Sequence, residues 1–329
     1  MSLSSFALVH DRWRTTTKLP FARVGSRSAM LDGRCYLVGG YDDESRSADE
    51  ELGPPARCFD VATARWSHFR VPRGLLSDGQ QEFFRPVVAA CHSKLYLFLD
   101  DGGLVFDPAT ADWSRINDHP LGEYVGEAAC ELDDAIYLAG GGGDNKQLWR
   151  FQSADGTWER NQRDMPGQGR QEAVAVSLNG LLYVIGGLRH GKHEDAMLIY
   201  HPSHDEWRCA PAIPAPQCGY PNPRQLGFAR LSAAAHEGSV VVMGSGPPIT
   251  YSPATEAWLE SEKLASLTLS MGEYHVPEGH DDMHPAACGR ADYMDEEELE
   301  DEDEYLQELT HLPIESPQIF SVEVDVAAL

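Results

Sequence analysis

The chain is short of positive charge and of any long apolar run. It carries 26 Lys and Arg against 52 Asp and Glu, a formal net charge of −26. Such a field repels phosphate backbones and anionic headgroups, so neither nucleic acid nor a membrane surface is an expected partner. No stretch approaches the length of a bilayer span. The first residues, MSLSSFALVHDRW, lack a basic start followed by a long apolar run, so no secretory signal is expected.

The sequence also has no CxxC pair, no GxSxG, no HExxH and no Lys-Ser/Thr after a glycine loop; Gly140–Gly143 reads as a strand end. Seven scattered cysteines, an odd number, read as reduced thiols rather than a disulfide framework. A cytoplasmic protein is expected, with the nucleus as a further compartment.

What is present is repetition. Tryptophans at 13, 66, 113, 158, 207 and 258 fall 53, 47, 45, 49 and 51 residues apart. Seven residues before Trp66, Trp113, Trp158, Trp207 and Trp258 stand Phe59, Phe106, Phe151, Tyr200 and Tyr251. Phe6 and Trp13 share the offset, with a poorer fit between them. Apolar strands end on glycine doublets: CYLVGG at Gly39–Gly40, IYLAGG at Gly140–Gly141 and LYVIGG at Gly186–Gly187. Two copies are degenerate, with glycines at 102–103 and at 244 and 246. A residue without a Cβ permits the sharp turn or close backbone approach that such an ending needs. Each unit therefore reads as strand, turn, YxxGG strand, variable loop, aromatic strand, turn and tryptophan strand. Short strands at this period predict an all-β closed array.

The doublets, the preceding Tyr36, Tyr96, Tyr137 and Tyr183, and segments such as FDPATADW and YSPATEAW resemble the kelch-repeat β-propellers over residues 13–258. The resemblance implies four-stranded antiparallel blades around a channel, with the last blade assembled from both chain ends. The resulting expectation is a six-bladed kelch propeller, five complete repeats plus one shared blade, with five blades as the alternative. Blades occupy 1–270. Residues 271–312 form an acidic insertion expected to be disordered. Residues 313–329 supply a closing strand, IFSVEVDV, whose alternation suits one buried face; LASLTLS is a second candidate.

The four tyrosines are expected to pack between blades, their hydroxyls needing partners. Arg27, Arg85, Arg170 and Arg230 fall at or just before first strands, near one mouth of the channel. Guanidinium forks there suit carboxylates, so an acidic peptide segment is the implied ligand. The plainer reading is that they satisfy inter-blade carbonyls or pair with local acids. Residues 292–308 hold eleven acids and no base; subtracting them from −26 leaves −15, so the blades are acidic too. Tethered nearby, this run can compete for an arginine mouth; a solvated tail is the simpler reading. His275, His280 and His284, in HVPEGHDDMH, are weak metal candidates, and no cofactor is expected.

The resemblance further implies a non-enzymatic protein-interaction module that presents substrates to a cullin-RING ubiquitin ligase. No helical BTB or F-box pattern precedes Phe6, so recruitment is expected to come from elsewhere. The alternative from another class is a propeller enzyme, isomerising a sugar or housing a metal, with Arg85, Arg230 and the histidine segment as first suspects.

Overall fold

A computed structural model describes residues 2–7, 12–18, 26–40, 55–77, 86–99, 102–116, 128–142, 145–161, 163–167, 169–189, 192–214, 231–243, 248–260 and 319–320. Five four-stranded antiparallel sheets follow one another along the chain. Blade 1 comprises β3 (Arg27–Leu31), β4 (Arg34–Val38), β5 (Pro55–Asp60) and β6 (Arg65–Arg70), preceded by β1 (Ser2–Ala7) and β2 (Arg12–Lys18). Blade 2 comprises β7 (Val87–Cys91), β8 (Lys94–Leu99), β9 (Gly102–Asp107) and β10 (Asp112–Ile116). Blade 3 comprises β11 (Ala128–Leu132), β12 (Ala135–Ala139), β13 (Leu148–Gln152) and β14 (Thr157–Arg160). Blade 4 runs β15 (Val174–Leu178), β16 (Leu181–Ile185), β19 (Met197–His201) and β20 (Glu206–Cys209). Its loop carries a small ribbon, β17 (Leu188–Arg189) with β18 (Lys192–His193). Blade 5 comprises β21 (Ser232–His236), β22 (Ser239–Met243), β23 (Ile249–Ser252) and β24 (Ala257–Glu260). Last comes β25 (Ile319–Phe320). The helical content among the described residues is one short turn, Arg73–Leu75.

Two-residue hairpins join the first and second strands of each blade. Asp32–Gly33, Asn179–Gly180 and Glu237–Gly238 take the positive φ that such tight turns demand. His92–Ser93 and Asp133–Asp134 take it without glycine, at φ of 48° and 55° and of 51° and 60°. At the other hairpin, Phe59, Phe106, Phe151, Tyr200 and Tyr251 lie directly opposite the tryptophan seven residues on. The constant offset is thus a hairpin register. The partners touch, with ring centroids 4.7–5.3 Å apart.

Successive blades meet through their inner strands, β3 on β7, β7 on β11, β11 on β15 and β15 on β21. The seams obey a direction. Tyr36, Tyr96, Tyr137 and Tyr183 point toward the next blade, meeting Phe106, Phe151, Tyr200 and Tyr251 at 5.7–6.4 Å. Each aromatic contact adds about 0.5–1.5 kcal/mol beyond the buried apolar area. Indole N–H groups reinforce it. Trp207 donates to the Arg163 carbonyl and Trp258 to the Pro211 carbonyl, each at 3.0 Å, behind the preceding blade's last strand.

The expected count of six blades is corrected to five. The chain ends do meet, as a three-stranded sheet ordered β2–β1–β25. Phe6 sits opposite Trp13, as in the blades. However, β25 joins β1 in parallel, across Leu3↔Ile319 and Ser4↔Phe320, where a blade would pair antiparallel. The physical reason is local: neither chain end encodes the pair of strands joined by a tight two-residue hairpin that opens every complete unit. The acidic run and LASLTLS lie outside the described residues, as do most residues of IFSVEVDV.

Two outcomes follow from the seams. Burial, ahead of every other cause, lifts the hydroxyls of Tyr36, Tyr96, Tyr137, Tyr183, Tyr200 and Tyr251 above their usual 10.0. It also pushes the Cys35 thiol from 9.0 to about 12. The folded chain holds these protons more tightly than the unfolded one. Stability is therefore full below pH 9 and falls as pH climbs through 9–12, which urea melts between pH 7 and 11 will read.

The hydroxyls also differ. Tyr200 Oη donates to Asp205 Oδ1 at 2.8 Å and accepts from Asn161 Nδ2. Tyr183 Oη is buried with no hydrogen-bond partner among the described residues. Tyr200→Phe is expected to cost about 1–2 kcal/mol, and Tyr183→Phe to be neutral or to stabilise by up to about 1 kcal/mol. Equal losses in denaturation midpoints would contradict this assignment.

Candidate functional site

One face of the propeller carries the connections between second and third strands: residues 39–54, 100–101, 140–147, 186–196 and 244–248. Three of these open on the glycine doublets, whose φ values run from 62° to 131°. A Cβ on Gly140 would stand 2.7 Å from the Arg170 carbonyl oxygen, and one on Gly187 2.7 Å from that of Gln171. The doublets of blades 3 and 4 are therefore where the entrance to blade 4 passes close by. In blade 2 the corresponding strand runs on to Leu99, and Gly102–Gly103 begin β9. There they leave room for Ile116, whose side chain would press on a Cβ at Gly103.

Arg170 occupies the junction. It is 4% exposed and the one charged residue in the buried core among the described residues. Its carbonyl accepts from Gly141 N at 3.0 Å. Its guanidinium Nη1 donates to Gly186 O at 3.1 Å and Ala196 O at 2.7 Å. Desolvation lowers its pKa, and the Glu194 charge works against that. The next residue, Gln171, exchanges two backbone hydrogen bonds with Leu188, at 2.9 and 2.7 Å. Arg189 pairs with Glu194 at 2.8 Å on the same ribbon. Arg170 thus ties two doublets and one loop together, and its Nη1 is spent on carbonyls rather than turned to solvent. The plainer of the two sequence readings describes this residue.

Arg27 begins β3, half-buried and opposite Val38. Arg85 and Arg230 lie outside the described residues, as do His275, His280 and His284. Among the described residues, no three His, Cys, Asp or Glu side chains are grouped to hold a metal ion.

The hairpin end of blades 2 and 3 holds a cluster that reading the sequence did not single out. His92 Nδ1 lies 2.7 Å from Ser153 Oγ, and its Nε2 lies 3.1 Å from Asp134 Oδ1. Cys91 Sγ stands 3.3 Å from Ser153 Oγ. Three turns from two blades meet here, including both tight hairpins that lack glycine. The imidazole staples the blades, and its bonds account for left-handed backbone that glycine would otherwise supply. Burial raises the Cys91 thiol pKa, which leaves it a weak nucleophile at neutral pH. The only signal in the sequence was the absence of glycine at His92–Ser93 and Asp133–Asp134.

Replacing Arg170 by Met removes a donor from two buried carbonyls while keeping the stem. The expected loss is about 2–3 kcal/mol in urea unfolding. A loss below about 0.5 kcal/mol would mean the junction is held by the glycine backbone alone.

Comparison with known proteins bears on the same blade. The kelch motif family model matches residues 169–213, which hold Arg170, the Gly186–Gly187 doublet and the Tyr200–Trp207 pair. Kelch-like protein 24 of Rattus norvegicus is 27% identical over 215 residues, covering 62% of this chain and 32% of the relative. Kelch-like protein 33 of Homo sapiens is 30% identical over 119 residues, covering 32% and 21%. An F-box/kelch-repeat protein of Arabidopsis thaliana is 26% identical over 127 residues, covering 38% and 30%. The chain spans about a third or less of the length of these relatives. With the repeat grammar, the blades and these matches in agreement, the chain is a β-propeller that carries a kelch motif in blade 4 and is similar to kelch-repeat proteins.

Proposed function

We propose that this propeller is a non-enzymatic interaction module that grips a segment of another protein on the face bearing the second-to-third-strand connections. One observation carries the reading: a rigid, repeated scaffold ends on that face in connections as unequal as 39–54 and 100–101. Side chains on irregular loops over a fixed frame discriminate between partners without any reacting group. The bound segment is acidic. Arg27, Arg85 and Arg230 are its contacts, and Arg170 is the internal brace that sets the loop of blade 4. In an otherwise acidic chain, such cations concentrate attraction at one mouth.

Similarity to kelch-repeat proteins favours a finer reading, substrate recognition for a cullin-RING ubiquitin ligase in the cytoplasm or nucleus. The recruiting part then comes from sequence or subunits beyond the blades. The run 292–308 competes with the acidic partner for the same mouth.

Affinity capture with the full chain, followed by crosslinking mass spectrometry, tests the reading. Partner crosslinks are expected within 39–54 and 186–196, from acid-rich segments. Arg85→Glu with Arg230→Glu should lower capture at least tenfold, and removal of 292–308 should raise it at low salt. Crosslinks confined to the opposite hairpin turns, or a stoichiometric sugar or metal in place of a protein, would overturn the proposal.

A further inference from the structure

In blades 1 and 4 the side chains at the first and fourth positions of the turn between the last two strands converge. In blade 1, Asp60 Oδ1 accepts from both Thr63 N and Thr63 Oγ1, each at 2.9 Å. Blade 5 has Ser252 and Thr255 at the equivalent places. Blade 4 has two histidines there, His201 and His204, in His201-Pro202-Ser203-His204. The turn closes through His204 N to His201 O at 3.2 Å and Asp205 N to Pro202 O at 3.3 Å. Beneath it, Tyr200 packs on Trp207 with centroids 4.9 Å apart.

The consequence is a triangle of donor atoms. His201 Nδ1 and His204 Nδ1 are 3.0 Å apart, and Ser203 Oγ is 3.1 Å from the first and 3.2 Å from the second. Two ligands at right angles around an ion, each about 2.1 Å from it, stand about 3.0 Å apart. The triangle therefore matches one face of a six-coordinate transition ion. Imidazole nitrogen selects zinc, copper or nickel over calcium and magnesium. His204 is exposed, so the outer face is open to water or to a donor from another molecule. Asp205 and Glu206 adjoin the turn, and the chain's negative charge draws cations toward it.

We infer that the His201–His204 turn of blade 4 is a binding site for a divalent transition metal, with both Nδ1 atoms as ligands, the Ser203 hydroxyl as a weaker third, and the remaining positions open. Each imidazole would bind the ion through its Nδ1 lone pair, with its proton on Nε2. The inference is independent of the partner-binding face.

The test uses the full chain, labelled with 15N in its histidine rings and titrated with zinc sulfate at neutral pH. The Nδ1 resonances of His201 and His204 are expected to shift together and saturate with one equivalent. His201→Ser with His204→Thr reproduces the first and fourth residues of the blade 5 turn, so the hairpin is retained. That variant should lose one zinc equivalent by calorimetry, or bind it at least tenfold more weakly. Its zinc-free melting temperature should be unchanged. Unmoved Nδ1 resonances at saturating zinc, or equal zinc stoichiometry and affinity in the variant, would overturn the assignment.

Discussion

Everything in this molecule depends on a contact that points one way. The tyrosine before a glycine doublet reaches forward, and the aromatic–tryptophan pair of the next blade reaches back to meet it. Because each blade is a thin four-stranded sheet, neither of its faces can remain wet. The forward and backward side chains alternate along the same strands, as the two-residue period of a pleated sheet requires. Tyr183 and Ile185 pack toward blade 5 while Leu182 and Val184 pack toward blade 3. Order along the chain is thereby converted into order around an axis.

The ends of the array show the same rule by its lapse. Blade 1 carries Phe59 and Trp66 in the backward position, grouped with Cys35, Leu37 and Val61 apart from the other seams. In blade 5 the tyrosine position is Val241, and Leu259 and Met30 are the large apolar residues most exposed among the described ones. Both lie on the faces that look away from a described neighbouring blade, Met30 on blade 1 and Leu259 on blade 5.

The parts of this architecture that are local in sequence were legible there. The interval from Phe59 to Trp66 is fixed by a four-residue turn and an antiparallel register, so it survives as a constant offset. Glycine doublets mark carbonyls passing close by, and that constraint tolerates few other residues. The blade count was less legible because closure depends on what the chain ends pair with, and Ile319 joins Leu3 across more than three hundred residues. Arg170 was found as a position, with two roles left open between which the sequence could not choose. Its partners, Gly186 and Ala196, are backbone carbonyls, which leave no trace in residue identity. The His92–Ser153–Asp134 staple was invisible for a related reason: its members are separated by 61 and 42 residues and meet only at a seam.

Because every seam uses the same lock in the same sense, a whole unit can be duplicated or excised without creating a mismatched pair of surfaces. The neighbours on either side of the edit would still present one forward tyrosine and one backward pair. Kelch arrays built this way can change length by module while each joint stays chemically the same, and the face left over at either end is then the quantity on which selection has to act.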